Sequence, residues 1–227
     1  MWILAFILTI PASDEKEIDE AIQKFKTEMK SPEIPTRVQA VVELGRTQHE
    51  KTLRALGACL TIDDKSVRTA AARALGGFQE KKAKAAVALA EALAPNSREP
   101  DVQIAIFSAL RDLHEGAALA TAYRYLDDKN GKVAESAIGV TAAIHSRDSI
   151  DPLIKVLKKA LGAGDGVYGG AGGGYDVPAD ETLKERARLM ETAVNKALAS
   201  ITGERYSGPK EWETWWKKNA GTFRVKE

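Results

Sequence analysis

A ten-residue pattern recurs along the chain, and this recurrence restricts the possible folds more than any other feature of the sequence. The segment TRVQAVVELG, which begins at Thr36, aligns with VRTAAARALG, which begins at Val67, and weaker copies begin at Val102 and Val133. Each copy is followed by a short polar turn and a second stretch of apolar residues at helical spacing. The repeating unit is therefore predicted to be a helix, a turn and a second helix.

Neither helix of such a pair can bury its apolar stripe alone, so neighbouring pairs must stack and share one core. Alanine is abundant and aromatic residues make up only 6% of the chain, which favours close helix packing over sheets. The sequence therefore predicts an all-α protein, an α-solenoid of about four to five stacked helical hairpins. Gly45, Gly76 and Gly77 follow or end predicted helices, and we expect them to adopt positive φ there.

The segment DDKSVRTAAARALGG at residues 63–77 carries the pattern D-x-x-x-V-R-x-x-A-x-x-x-L-G. This pattern resembles the short HEAT repeat of the phycobilisome-lyase type. The resemblance covers roughly residues 33–160, with a degenerate fifth unit at 181–203, and we place the solenoid at 33–161.

The resemblance implies a curved helical stack that binds other macromolecules, and some members of the family act in bilin attachment. Asp64 and Arg68 match the Asp and Arg that link neighbouring repeats in the family. Gln103 and Ala134 stand where later repeats would carry this arginine. A continuous polar ladder is therefore not expected through the later units.

The N-terminal segment is apolar from Trp2 to Ile10 apart from one threonine, and Pro11 follows. The run is too short to span a bilayer. It resembles the apolar region and cleavage site of a secretory signal, although the basic leading region is missing. We interpret residues 1–12 as a signal peptide, so the mature chain would begin near Ser13 and act in the periplasm or outside the cell. The alternative is a cytoplasmic protein whose apolar N-terminal helix packs on the fold.

Residues 13–32 are predicted to form an N-terminal helix that precedes the solenoid. Residues 162–180 form a glycine-rich insert, which we expect to be flexible because it has little to bury. Tyr168 and Tyr175 within it either contact a partner or anchor the insert to the stack.

Residues 181–227 are predicted to contain a terminal repeat helix and a short capping helix that begins at Pro209. Trp212, Trp215 and Trp216 share one face of the short helix at i, i+3 and i+4. Large aromatic residues at helical spacing usually belong to a core, so we expect them to seal the end of the solenoid. The alternative is an exposed cluster that stacks on a sugar or a base.

Candidate catalytic and metal-binding residues are few. His49, His114 and His145 fall in or beside turns at similar positions of three repeats, without the spacing of a zinc site. Cys59 lies on an apolar stripe, where a buried and unreactive thiol is the default. We therefore predict no enzymatic activity, no catalytic residue, no cofactor and no metal.

The leading functional prediction is a non-catalytic scaffold that binds a protein partner, with Arg37, Arg68, Tyr168 and Tyr175 as candidate contact residues. A bilin lyase-like enzyme is the alternative that the family resemblance implies. Binding of nucleic acid is a further alternative, which the formal net charge of +1 disfavours.

Overall fold

A computed structural model describes residues 12–162 and 181–225, with side chains described from 15 to 162 and from 184 to 225. Nearly all of the predicted signal peptide at 1–12 lies outside the described residues. The same holds for the glycine-rich insert at 162–180 apart from Gly162, and therefore for Tyr168 and Tyr175.

Within these described ranges all regular secondary structure is helical, and it includes two short 3₁₀ helices at Gly116–Ala118 and Arg147–Ser149. The α-helices are α1 (Ala12–Glu28), α2 (Ile34–Leu44), α3 (Glu50–Cys59), α4 (Lys65–Gly76), α5 (Lys82–Ala92), α6 (Pro100–Leu113), α7 (Leu119–Tyr125), α8 (Gly131–Ile144), α9 (Ile150–Ala160), α10 (Glu181–Thr202) and α11 (Pro209–Asn219).

The helices form two layers, as the stacking of hairpins predicts. Helices α2, α4, α6, α8 and α10 pack side by side in one layer, and α3, α5, α7, α9 and α11 form the other. Helix α1 packs on α2 and α3 at the N-terminal end of the stack. The predicted all-α solenoid is therefore confirmed.

The core lies between the two layers. On α4, Val67, Ala71 and Leu75 are fully buried, which is the apolar stripe that the repeat pattern places on one side of the helix. On α6, Phe107 and Leu110 are likewise inaccessible to solvent. Burial of these side chains between hairpins is what makes one hairpin depend on its neighbours.

The expected positive φ at the repeat glycines is wrong. Gly45 and Gly77 end their helices with right-handed backbones, at φ −61° and −82°. Instead, a Cβ added to Gly45 would lie 2.7 Å from Ala74 Cβ, and one added to Gly76 would lie 3.0 Å from Ala109 Cα. Two of these glycines are therefore needed because neighbouring helices of one layer approach too closely for a side chain.

Two helices of the inner layer end in a left-handed histidine, while Gly203, which follows α10, has φ 78°. His114 ends α6 at φ 55° and His145 ends α8 at φ 53°. His49 instead begins α3, where its Nδ1 accepts a hydrogen bond from the Lys51 amide at 3.1 Å. The similar sequence positions of the three histidines thus conceal two different helix-capping roles.

The tryptophans of α11 close the C-terminal end of the stack, as predicted. Trp212 is fully buried and its Nε1 donates to Asn195 Oδ1 at 2.8 Å. Trp216 is 8% exposed, donates to Asp151 Oδ1 at 2.7 Å and lies beneath the guanidinium of Arg147. Because α11 packs on α9, these contacts tie the last helix to the fourth hairpin.

A candidate protein-binding groove

The layer of α2, α4, α6, α8 and α10 lies on the inner side of the stack. Neighbouring helices of this layer contact one another extensively, whereas neighbours in the other layer contact less. The glycine contacts of Gly45 with Ala74 and of Gly76 with Ala109 belong to the same closely spaced layer. A stack with unequal spacing curves towards its closer layer, so the free face of these helices is concave.

Three hollows lie in a row along this concave face. The first is between α2 and α4, the second between α4 and α6, and the third among α6, α8 and α10. Thr69, Arg73 and Asp101 line both the first and the second hollow, and Ile104 and Ser108 line both the second and the third. The hollows are therefore parts of one groove, which we call the inner groove.

The first hollow is the most apolar part of the inner groove, with a volume of about 700 Å³. Val38 and Val42 of α2 face Ala70 and Ala74 of α4 across it. Val42 is 42% exposed, which is unusual for a large apolar residue of this chain. The missing side chain of Gly45 lets the two helices meet at the floor of the hollow.

Charged side chains surround the first hollow. Arg46, Lys65 and Arg73 contribute three cations, and Asp101 contributes one carboxylate. Within the described residues, none of these four side chains makes an ion pair or a side-chain hydrogen bond. By contrast, cations on α1, α3 and α5 are paired at 2.6–2.7 Å: Lys24 with Glu43, Lys51 with Asp19 and Lys84 with Glu50.

The third hollow is less apolar than the first, and it has a volume of about 560 Å³. His145 Nε2 lies 2.8 Å from Ser200 Oγ, and His145 Nδ1 lies 2.9 Å from the carbonyl oxygen of Ala143. Both His145 and Ser200 are exposed, and these contacts join the end of α8 to α10. They hold the histidine in its left-handed conformation at the edge of the groove.

The predicted contact residue Arg37 lies at the edge of the stack, where it links two repeats. Its Nε and Nη2 donate to both carboxylate oxygens of Asp63 at 2.8–3.1 Å, and its Nη1 donates to the carbonyl of Ser31 at 2.8 Å. Burial acts to raise the pKa of Asp63, but the hydrogen bonds from Arg37 and from the Asp64 amide outweigh it, so this pKa is lowered. Only 15% of the Arg37 side chain is exposed.

Arg68 makes the equivalent link one repeat later. Its Nη1 donates to Asn96 Oδ1 at 2.7 Å, and the buried Asn96 amide donates in turn to the carbonyls of Leu60 and Ala92. Its side chain is 16% exposed. The guanidinium groups of Arg37 and Arg68 thus connect hairpins within the chain, and their role in partner binding stays a prediction.

The linking acid of the first repeats is Asp63 rather than Asp64, which sequence matching had favoured. Asp64 begins α4 and accepts a hydrogen bond from the Ser66 amide at 2.8 Å. The ladder changes in the later units, as their sequence predicts: Gln103 donates to the nearby carbonyl of Leu93 at 3.3 Å, and Ala134 is buried.

In the third inter-repeat loop, between α7 and α8, the link to neighbouring helices is made by cations other than the repeated arginine. Asp127 accepts from Arg186 of α10 at 3.0 Å and contacts Lys159 of α9. Burial opposes ionisation of Asp127, but the hydrogen bonds from Lys159 and Arg186 prevail and its pKa is lowered. The polar links therefore continue to the end of the stack without the repeated arginine.

No group of three or more metal-ligating side chains occurs in the parts of the chain that the structure describes. Cys59 is buried, its thiol donates to the carbonyl of Ala55, and burial raises its pKa to about 11. At neutral pH it is therefore a protonated thiol rather than a nucleophile. None of the helices in the described ranges is long and apolar enough to cross a bilayer.

Sequence reasoning missed the residues around the inner groove. Arg73 and Arg46 carry no motif: Arg73 interrupts the alanine-rich helix α4 on the side opposite the core, and Arg46 lies in the turn after α2. The exposure of Val42 could not be predicted from its residue type, because its neighbour Val41 is also a valine and is buried.

A family model of HEAT repeats matches residues 22–111, which extend from α1 to near the end of α6 and include the whole lining of the first hollow. No curated protein sequence matches the chain. Beyond residue 111 the same pairing of helices continues in two layers through α11. The match identifies residues 22–111 as HEAT repeats, and the stacked hairpins continue the same arrangement through the rest of the described chain.

Proposed function

We propose that this HEAT-repeat protein is a non-catalytic scaffold that binds a protein partner in its inner groove. The observation that supports the proposal is the continuous row of three hollows along α2 to α10. HEAT repeats generally mediate protein–protein interaction. The groove offers apolar contact area together with charged side chains that lack partners within the described chain, a combination typical of protein-binding surfaces.

Site-specific photo-crosslinking in the native host tests this assignment. A photoreactive residue replaces Thr69, which lines the first two hollows, and a matched control replaces Val87 of α5 in the outer layer, which is 50% exposed. We expect a discrete protein adduct from position 69 and none from position 87. Equal labelling from both positions, or adducts from position 87 alone, would contradict the groove as the binding face.

We also propose that the chain is exported and acts outside the cytoplasm. The support is the apolar run from Trp2 to Ile10 followed by Pro11, Ala12 and Ser13, which is typical of a signal peptide and its cleavage site. Fractionation of the native host and N-terminal sequencing of the recovered protein test the proposal. A mature N-terminus near Ser13 in the exported fraction is expected, and an uncleaved chain in the cytoplasm would contradict it.

The lyase-like activity and the binding of nucleic acid stay as alternatives. The HEAT-repeat match does not distinguish the lyase-type subfamily from other HEAT proteins. Incubation with a bilin and an acceptor protein tests the first, with a covalent adduct as the positive result. Salt-dependent binding of an oligonucleotide tests the second, because phosphate contacts weaken steeply as salt is raised.

A further inference from the structure

We propose that the first hollow binds an acidic peptide segment, which inserts an aliphatic side chain between α2 and α4 and places its carboxylates against Arg46, Lys65 and Arg73. The inference rests on the proposed function, since it specifies the chemistry of the partner that the inner groove receives.

The shape of the hollow fits an inserted side chain. Its volume of about 700 Å³ lies within the range of about 300–1,000 Å³ typical of small-ligand pockets. Val38, Val42 and Ala70 present carbon atoms to it, so an aliphatic group would bury apolar area on both sides. Gly45 and Gly77 line the hollow at the ends of the two helices.

The charges around the hollow fix the sign of the partner. Three cations and one carboxylate leave a local excess of positive charge on a chain whose formal net charge is only +1. Arg46, Lys65 and Arg73 are exposed, and they lack ion-pair partners among the residues that the structure describes. Carboxylates of a bound segment would supply these partners, and complementary charges of this kind set specificity and association rate.

A peptide fits these observations better than a nucleic acid. The side chains that line the first hollow include no aromatic residue on which a base could stack. Asp101 faces both the first and second hollows, and Asp112 lines the second, so a polyphosphate laid along the groove would meet two carboxylates. A peptide can instead place a basic or neutral residue beside Asp101.

A displayed library of random peptides of about 12 residues tests the proposal with the full chain as bait. In extended form such peptides span about 40 Å, which matches a groove that crosses five helices spaced about 8–10 Å apart. We expect enriched peptides to carry several Asp or Glu residues around a Leu, Ile or Val. The same peptides should bind more weakly as salt rises from about 0.05 to about 0.5 M, because exposed charges are screened.

Two variants of equal net charge separate the hollow from the rest of the surface. The variant R46E/R73E reverses two cations of the hollow, and the control K26E/K155E reverses two exposed lysines on α1 and α9. We expect at least about tenfold weaker binding of the enriched peptides by the first variant and less than about twofold change by the control. Val42→Glu, which introduces a carboxylate at the hollow itself, should weaken binding similarly and provides a second variant if the first loses its helical circular dichroism.

Three results would overturn the inference: enrichment of basic or uncharged peptides, unchanged binding by both R46E/R73E and Val42→Glu, or tighter binding of a single-stranded oligonucleotide through the same arginines. If position 69 still crosslinks to a protein while the library shows no acidic preference, this inference fails and the proposed scaffold function survives. If position 69 yields no adduct in the host, the proposed function fails whatever the library selects.

Discussion

The close approach of α2 and α4 at Gly45 gives a stability prediction that can be worked out from the structure. Gly45 has a right-handed backbone at φ −61°, so alanine can adopt its conformation without strain. Its Cβ, however, would lie 2.7 Å from Ala74 Cβ, well inside the 3.4 Å at which ordinary contact begins. The substitution Gly45→Ala therefore tests packing between repeats with little change in backbone strain.

The expected cost follows from two opposing effects. Overpacking of a tight contact destabilises a protein by about 1–3 kcal/mol. Alanine is favoured over glycine in a helix interior by about 1 kcal/mol, and less than this at a helix end such as Gly45. We therefore expect Gly45→Ala to lower the free energy of unfolding by about 1–2 kcal/mol, and each kcal/mol lowers Tm by about 2–4 °C in a chain of this size.

A double-mutant cycle identifies the cause. Ala74→Gly removes the methyl group that Gly45→Ala would meet, and by itself it costs about 1 kcal/mol because it places glycine within α4. If the contact is responsible, the double variant should be more stable than the sum of the single effects by about 1–2 kcal/mol. The free energy of unfolding of all three variants is measured by urea titration. Circular dichroism at 222 nm follows the unfolding, because it reports the total helix content.

Gly139→Ala is the matched control, because Gly139 lies within α8 and a Cβ there would meet no heavy atom within 4 Å. Its free energy of unfolding should rise by up to about 1 kcal/mol. If Gly45→Ala stabilises the protein as Gly139→Ala does, or if the double variant is merely additive, the close packing of the inner layer is not what requires glycine at position 45.

Four further outcomes are expected. Asp63→Asn should lower the free energy of unfolding at pH 7, because the lowered pKa of Asp63 contributes stability above the pKa of the unfolded state. Protonation removes this contribution, so the difference between the variant and the wild type should shrink as pH falls below about 4. Urea unfolding at pH 7 and pH 3 checks this, and an equal deficit at both pH values would contradict it. His114→Gly should raise Tm by about 2–4 °C, since glycine adopts φ 55° without the cost of a side chain, and a lower Tm would show that the imidazole is needed. Trp212→Phe should cost about 2–4 kcal/mol in thermal or urea unfolding, because it leaves a cavity and an unpaired Asn195 oxygen, and a neutral result would argue against the cap. Cys59 should react with a thiol reagent at pH 8 only as fast as the chain unfolds, and rapid labelling of the native protein would contradict its burial.

The fold was predictable because the buried apolar residues recur at regular spacing in the sequence. Val67, Ala71 and Leu75 repeat at helical spacing, and their recurrence at a fixed interval leaves stacking as the only way to bury them. The tryptophans of α11 were predictable for a similar reason, since Trp212 and Trp216 occupy one helical face. Patterns of this kind report which side of a helix is buried.

Contacts between repeats were less predictable, since sequence spacing does not report how closely two helices approach. Gly45 looked like a helix terminator, but Ala74, 29 positions later, determines what fits there. Asp63 and Asp64 are adjacent and chemically identical, and only the backbone turn between them, with Asp63 at φ 91°, decides which carboxylate faces Arg37.

The inner groove was the least predictable feature. Its lining comes from positions that the repeat leaves free, such as Thr69 and Arg73, so no periodic signal marks them. That Arg73 lacks an ion-pair partner in the described chain while Lys84 has one depends on the three-dimensional surroundings of each side chain. A hollow formed by the curvature of the stack has no counterpart in the linear sequence.

Amide hydrogen exchange of the protein, alone and in the complex isolated from its native host, tests the binding face most directly. Exchange reports protection helix by helix, and it needs no substitution in the chain. Binding in the inner groove predicts slower exchange in α4 and α6, with α5 and α7 of the outer layer unchanged. Protection confined to α5 and α7, or no protection in α4 and α6, would contradict the assignment of the concave face as the surface that receives a partner.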